Sequence, residues 1–405
     1  MGALISLEEA RDYVLGRCEG PASVVVPLAD ARGLVLAESV DSPEHVPPFA
    51  NTAMDGFAVR AVDTVGAPVT LDLVGTVAAG VDPVTTGTEV GPGEAVRIMT
   101  GAPMPPGADA VVMVELAEVS PDGVAVTVGV EVSVGNHVRA AGEDLMTGDR
   151  VFDTGTVLGP GHLGVLASIG VATVQVRSRL RVGVLSTGDE LREGSAALAP
   201  GQIRDANRPA LLGLLDELGA EGVDLGRVAD DEAAIEAALV NGVARCDALL
   251  TSGGVSMGDF DYVKVVLDRI GDMRWMQVAI KPAKPLAFGL VDGVPVFGLP
   301  GNPVSSMVSF ELFARPALRS MAGHRDLDRR RVRAEVVGGL GRHPDGKVHF
   351  ARVVVEVADG RFRVRSAGGQ GSHQLTAMAA ADGLAILPDG NGVANGDQVE
   401  VLLLG

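Results

Sequence analysis

The chain has 405 residues, 47% hydrophobic and 21% charged, which is enough apolar material for several cores and excludes a disordered protein. Lys and Arg number 33 against 52 Asp and Glu, a formal charge of −19, so a phosphate backbone would be repelled and nucleic acid is not an expected partner. The only cysteines, Cys18 and Cys246, lie far apart, which gives neither a disulfide framework nor a Cys-rich zinc pattern and fits a reducing compartment.

No apolar run approaches the roughly 18 to 20 residues of a membrane span, and the N-terminus lacks a signal-peptide layout. A soluble, cytoplasmic protein without membrane contact is the expectation. Met1-Gly2 with Ser6 matches the N-myristoylation pattern, but Ser6 followed by Glu9 and LEEARDYVLGRC reads better as a capping box opening an amphipathic helix that ends near Gly20-Pro21. The Val-rich SVVVPL that follows is strand-like. Residues 71–138 are rich in Gly, Val, Pro and Thr, and VTLDLVGTV, ADAVVMVEL and VAVTVGVEV predict a β-rich unit. A helical stretch returns at 158–169.

From Leu180 the pattern becomes strand, Gly-containing loop, helix, repeated. RVGVLS runs into Thr187-Gly188-Asp189-Glu190, ALLTS into Gly253-Gly254-Val255-Ser256, and VPVFG into Leu299-Pro300-Gly301-Asn302-Pro303. Between the first two, NRPALLGLLDELG reads as a helix with Asn207 as cap and Gly219 as stop. The alternation predicts a doubly wound, mostly parallel sheet, with ligands beyond the carboxyl ends of its strands, where all three loops sit. Residues 330–405 are β-rich again, with Asp345-Gly346, Asp359-Gly360 and Asp389-Gly390 as turns of a small barrel or meander. The fold class is therefore α/β plus β-rich units.

Three familiar patterns are weak in context. Gly159-x-Gly161-x-x-Gly164 has dinucleotide-loop spacing, but Pro160 interrupts it and no strong strand precedes it. Gly254-x-Ser256-x-Gly258 has nucleophile-elbow spacing after a buried strand, yet a serine hydrolase would need His324, His343, His349 or His373 as base, all in or beside the C-terminal β-rich unit. No phosphate-binding GK[ST] loop exists, since Val348 follows Gly346-Lys347. The histidines show no metal-ligand spacing. Carboxylates are more suggestive: Asp189, Glu190, Asp205, Asp259 and Asp261 flank the strand ends and could converge on Mg²⁺, although an acidic chain has acids in every loop.

Lys264, Lys281, Lys284 and Lys347 are the only lysines, so Lys-Pro-Ala-Lys-Pro at 281–285 stands out as a stiffened pair of ammonium groups suited to an anion. The third loop resembles an anion cradle, with Asn302 as helix cap, Pro303 in the first turn, and Ser305 and Ser306 adding hydroxyls.

Seven stretches carry a resemblance: PPFANTAMDGFAVR at 47–60, RIMTGAPMPPGADAVVMVE at 97–115, AGEDL at 141–145, LSTGDEL at 185–191, TSGGVSMGDFDYVK at 251–264, AIKPAKP at 279–285 and GLPGNPVSSMVSFELF at 298–313. In this order they resemble the MoeA-type molybdopterin molybdenumtransferases, which include the gephyrin E domain, and the similarity spans essentially the whole chain. It implies an enzyme of molybdenum cofactor biosynthesis that takes adenylylated molybdopterin and molybdate, with Mg²⁺ as cofactor, and releases AMP. It also implies an elongated homodimer of four subdomains: 1–26 with 139–179 as linker and dimerisation unit, 27–138 as β-rich lid, 180–328 as α/β molybdopterin-binding unit, and 329–405 as C-terminal β-barrel. The active site is then shared between chains.

Carried over by position, Asp55, Asp144, Glu190, Lys281 and Lys284 become catalytic candidates. Substrate-binding candidates are Thr100, Asp205, Gly253, Gly254, Ser256, Pro300, Pro303 and Ser372, with Asn302 and Ser305 added from helix-end geometry. Glu190, Asp259 and Asp261 are the metal candidates. The resemblance further implies a molybdopterin adenylyltransferase and acceptor molybdoenzymes as partners. Three other readings stand beside it: a scaffold of the gephyrin E type, a molybdopterin adenylyltransferase, and the serine hydrolase.

Overall fold

The computed structural model describes residues 4–254 and 262–405. The first helix is shorter than its pattern suggested. It runs Leu7–Leu15, opened by the Ser6 hydroxyl accepting from Glu9 N–H at 3.0 Å, and stops at Gly16. Its Ala10 and Val14 are fully buried against the α/β unit, and Ile5 bonds Gln277 and Ala279 on either side.

The Val-rich segment forms strand Ser23–Pro27 and pairs antiparallel with Thr173–Arg177, which in turn pairs Val35–Leu36. Helix Pro160–Ser168 closes this small unit over Leu36, Leu166 and Val176. The three spaced glycines 159, 161 and 164 fall at the cap and inside this helix, which removes the dinucleotide-loop reading.

A curled six-stranded sheet follows, in the order Ala110–Met113, Gly56–Val59, Glu94–Ile98, Val69–Val77, Ala125–Val128, Ala117–Val119. Alternate residues of Gly56–Val59 enter two cores, Phe57 and Val59 on one face and Ala58 on the other. Gly56 is required by closeness: a Cβ there would lie 2.0 Å from the Val112 carbonyl oxygen.

The third unit is the doubly wound sheet. Its order is Glu221–Val228, Arg181–Thr187, Ala248–Ser252, Val294–Leu299, Pro285–Val291, Asp272–Gln277, with the first four parallel and the last two forming an antiparallel extension. Even-numbered Val182 and Val184 face helix Asn207–Leu218 and the helical run from Pro303 to Met321, while Leu185 and Leu249 face helices Glu232–Val243 and Tyr262–Ile270. The chain leaves strand Arg181–Thr187 toward one edge and returns on the other side as Ala248–Ser252, so the strand order reverses between Thr187 and Ser252. In open α/β sheets that reversal opens a crevice at the carboxyl ends.

The last unit is a closed five-stranded barrel: Val348–Ala358, Arg361–Ser366, Arg331–Val336, Gln398–Leu403 and Gly383–Leu387, which pairs back onto the first. The short strand Ile280–Lys281 adds in parallel to Val348–His349 and links barrel to sheet. No helix among the described residues is long and apolar enough to cross a membrane.

Candidate functional site

The three loops foreseen at the strand ends meet at the switch point. Gly253 N–H donates to the Leu299 carbonyl at 3.1 Å, and a Cβ on Gly253 would lie 3.2 Å from the Thr187 carbonyl oxygen. Gly253 and Gly254 adopt φ of +95° and +71°, a region that favours glycine. The amide of Asn207 holds the crevice together. Its Nδ2 donates to Ser252 Oγ at 2.6 Å and to the Gly301 carbonyl at 2.7 Å, while its Oδ1 is buried without a partner. Asn207 is therefore not the expected helix cap. It is the first helical residue, turned across the sheet, and Asp205 accepts the Arg208 N–H at 3.2 Å in its place.

The acids divide by environment. Glu190 is exposed and folds over Gly188, where a Cβ would come within 2.6 Å of its carboxylate; among the described residues it has no ion-pair partner. Asp189 and Asp230 are tied reciprocally, the N–H of each donating to the other's carboxylate at 3.2 and 3.3 Å. The Asp205 side chain is 2% exposed and sits on Arg208, which also holds Asp224 at 2.6 Å and Glu193. Asp205 thus shapes the loop. Ser256, Asp259 and Asp261 lie outside the described residues. Among the described residues no three acids, histidines or cysteines converge as metal ligands.

Pro300 is buried, and Asn302 occupies the cap position of helix Pro303–Ser309 with no side-chain capping bond, so the expected Asn302 cap is corrected: only its carbonyl takes part, accepting Ser306 N–H at 2.9 Å. Ser305 is buried in the first turn. The Val304 N–H donates to the Ser372 carbonyl at 3.2 Å, which brings the C-terminal barrel to the third loop. The antiparallel pairing of Ala287 with Gly298 carries Pro285, and the Lys-Pro-Ala-Lys turn before it, to the same edge. Neither Lys281 nor Lys284 has an ion-pair partner within 4.0 Å among the described residues.

One residue escaped the sequence reading. Arg352 is fully buried on strand Val348–Ala358; its Nη2 donates to the carbonyls of Gly369 at 2.7 Å and Gly371 at 3.2 Å, directly before Ser372. Nε and Nη1 are buried without partners. An arginine within the otherwise apolar VHFARVVVEV run was the available signal.

Asp55 and Thr100 sit together on the curled-sheet unit. Both the N–H and the hydroxyl of Thr100 donate to Asp55 Oδ1 at 2.7 Å, and these bonds hold the Asp55 carboxyl below its ordinary range. Asp144 is exposed, its N–H on the Val46 carbonyl at 2.9 Å. Among the described residues no hydrogen bond or ion pair joins residues 51–138 to the α/β unit.

Family comparisons match this layout unit by unit. Residues 5–170 match the MoeA N-terminal region (domain I and II), 183–320 a probable molybdopterin binding domain, and 342–404 the MoeA C-terminal region (domain IV). The chain is 37% identical over 402 residues to a molybdopterin molybdenumtransferase of Haemophilus influenzae, covering 98% of each. The chain belongs to the MoeA family of molybdopterin molybdenumtransferases. It is also 39% identical over 407 residues to molybdopterin molybdenumtransferase 2 of Mycobacterium tuberculosis, again covering 98% of each. A crystal structure of a molybdopterin biosynthesis MoeA protein from Pyrococcus horikoshii superimposes with a TM-score of 0.83 at 29% identity, covering 99% of this chain and 100% of that one. As a member of this family the chain is an enzyme of molybdenum cofactor biosynthesis.

Proposed function

We propose that this enzyme inserts molybdenum from molybdate into adenylylated molybdopterin with release of AMP, working as a cytoplasmic homodimer. The observation that carries the reading is the junction of all three strand-end loops, the Ser372 segment and the lysine turn at one sheet edge. Asn207 and the two glycines shape the floor for the pterin. Lys281 and Lys284 supply positive donors for a tetrahedral dianion, and Arg352 holds the backbone directly before Ser372. Glu190 would hold Mg²⁺ together with substrate phosphates and water, and the ion would neutralise the phosphoanhydride oxygens. Asp55 and Thr100 lie within residues 51–138, which have no bonds to this α/β unit among the described residues, so in our reading they, with Asp144, serve the site of the other protomer.

The test is AMP release from adenylylated molybdopterin with Mg²⁺, with and without molybdate. Molybdate-dependent release with a molybdenum-loaded pterin is expected, and no release from intact bound substrate would overturn the reading. Mixing inactive Asp55→Ala and Lys284→Ala chains should restore part of the activity. No recovery after verified subunit exchange would remove the shared site.

A further inference from the structure

The net charge of −19 makes one surface conspicuous. A groove of about 800 Å³ at the seam of the first helix, helix Arg315–Met321 and the linker to the barrel is lined by Arg11, Arg315, Arg319, Arg325, Arg329 and Arg330, with Asp326, Asp328 and Gly405 on the same wall and Asp153 4.0 Å from Arg325. Some of these are spent within the fold. Arg329 grips both oxygens of Glu311 at 2.9 Å and Glu217 at 2.6 Å, and Arg11 holds Asp328 at 2.7 Å. Arg319 donates to the Asp326 carbonyl at 2.7 Å.

Arg315 is different. It is 9% exposed, makes no hydrogen bond among the described residues, and its buried Nε is unpartnered. The Glu311 oxygen it approaches, at 3.7 Å, already accepts from Arg329. Burial and the neighbouring Arg329 charge both disfavour its charged form, as they do for Arg319. The Arg330 side chain, at the open end, has no ion-pair partner among the described residues. Like charges gathered around a buried donor that lacks an acceptor are a standing electrostatic cost which an anion would relieve.

We propose that this groove is a second ligand site, distinct from the crevice at the strand ends, that binds a phosphate-class oxyanion, either inorganic phosphate or the phosphoryl head of a small phosphomonoester. Arg315 lies twelve residues along the helical run that starts at Pro303, so the groove is about 18 Å from the third loop at a 1.5 Å rise per residue. Its walls come from the first helix, the end of the α/β unit and the barrel linker, so an oxyanion there ties three parts of the chain together. Bidentate guanidinium recognition suits tetrahedral oxygens better than a single carboxylate.

The test is calorimetric titration of the full chain in phosphate-free buffer, with inorganic phosphate in one arm and glycerol 3-phosphate in the other, at ionic strength held constant with chloride. Saturable binding is expected, with the tighter arm naming the source. Arg315→Met should weaken it at least about tenfold and Arg330→Gln by about three- to tenfold. Lys284→Ala should leave it unchanged, which separates this site from the strand-end crevice. If Arg315→Met fails to fold, Arg330→Gln decides alone. Absence of binding beyond the chloride control, wild-type affinity in Arg330→Gln, or loss confined to Lys284→Ala would overturn the proposal.

Discussion

Replacing Asn207 with Ala tests the organisation of the crevice directly. The change removes two bonds, to Ser252 Oγ at 2.6 Å and to the Gly301 carbonyl at 2.7 Å. A neutral hydrogen bond contributes about 0.5–1.5 kcal/mol net, and a buried partner left without one costs about 1–3 kcal/mol. Ser252 is 3% exposed and would be stranded, whereas the exposed Gly301 can turn its carbonyl to water. The unpartnered Oδ1 disappears with the side chain, which returns part of the cost. The sum is a destabilisation of about 2–3 kcal/mol, read as a lower urea midpoint at unchanged slope. Turnover should fall more steeply, by about 100-fold, because a loop displaced by about 1 Å misaligns the reacting groups. Ser252→Ala should cost only about 1 kcal/mol, and the double variant should be less destabilised than the sum of the singles because they share one bond. Stability within about 0.5 kcal/mol of wild type together with turnover within about threefold would refute the assignment of Asn207 as the tie between the loops.

Three further outcomes are expected. Lys284→Ala should raise the molybdate concentration needed for half-maximal AMP release by about tenfold with an unchanged melting temperature, and an unaltered molybdate dependence would remove it from the anion receptor. Arg352→Met should leave stability within about 1 kcal/mol, since the two lost carbonyl bonds are offset by removal of a buried charge with two unpaired N–H groups, while turnover drops about 100-fold; a purely structural Arg352 would instead show lost stability with retained turnover. His324 is pushed down from 6.5 to about 4 by burial, then by Arg319 and Arg315. As pH falls below 6.5 the unfolded chain takes up a proton that the folded chain refuses, so stability is lost between pH 6.5 and 4. The limit is about 3 kcal/mol, reduced to about 1–2 by partial exposure, and His324→Gln should flatten urea midpoints across that window. An unchanged pH profile in that variant would contradict the assignment.

The sheet and its three loops were legible because each depends on local pattern. ALLTS forms strand Ala248–Ser252 residue for residue, VTLDLVGTV forms Val69–Val77, and Gly219 ends its helix at φ +84°. The first helix came out shorter than its apolar pattern: Gly16 N–H makes the last i→i−4 bond, to the Asp12 carbonyl, and Arg17 and Cys18 follow only as i→i−3 turns onto Val14 and Leu15, which periodicity does not weigh. Side-chain destinations were less legible than elements. Asn207 and Asn302 both read from the sequence as helix caps, yet neither side chain caps: Asn207 is already the first helical residue and has acceptors across the sheet, and at Asn302 only the main chain takes part. Such choices are decided by partners more than 40 positions away in sequence, as with Ser252 and Gly301 for Asn207.

Arg352 shows the same limit at its strongest. On a strand whose odd-numbered neighbours Ala351 and Val353 fill the barrel, and whose Phe350 packs on the α/β core, it lies on the face turned toward the other unit. Spacing alone gives a charge interrupting a β-branched run, which edge strands tolerate. Only the packing of this outer barrel face against the α/β unit and the Gly-rich loop buries that position completely and forces its guanidinium to seek acceptors. The backbone of the following Gly-rich loop supplies two of them and leaves two donors over. A fold that buries a guanidinium this deeply without a carboxylate bears a cost, and what it obtains in return is a fixed backbone directly before Ser372, whose carbonyl meets Val304 N–H on the third loop.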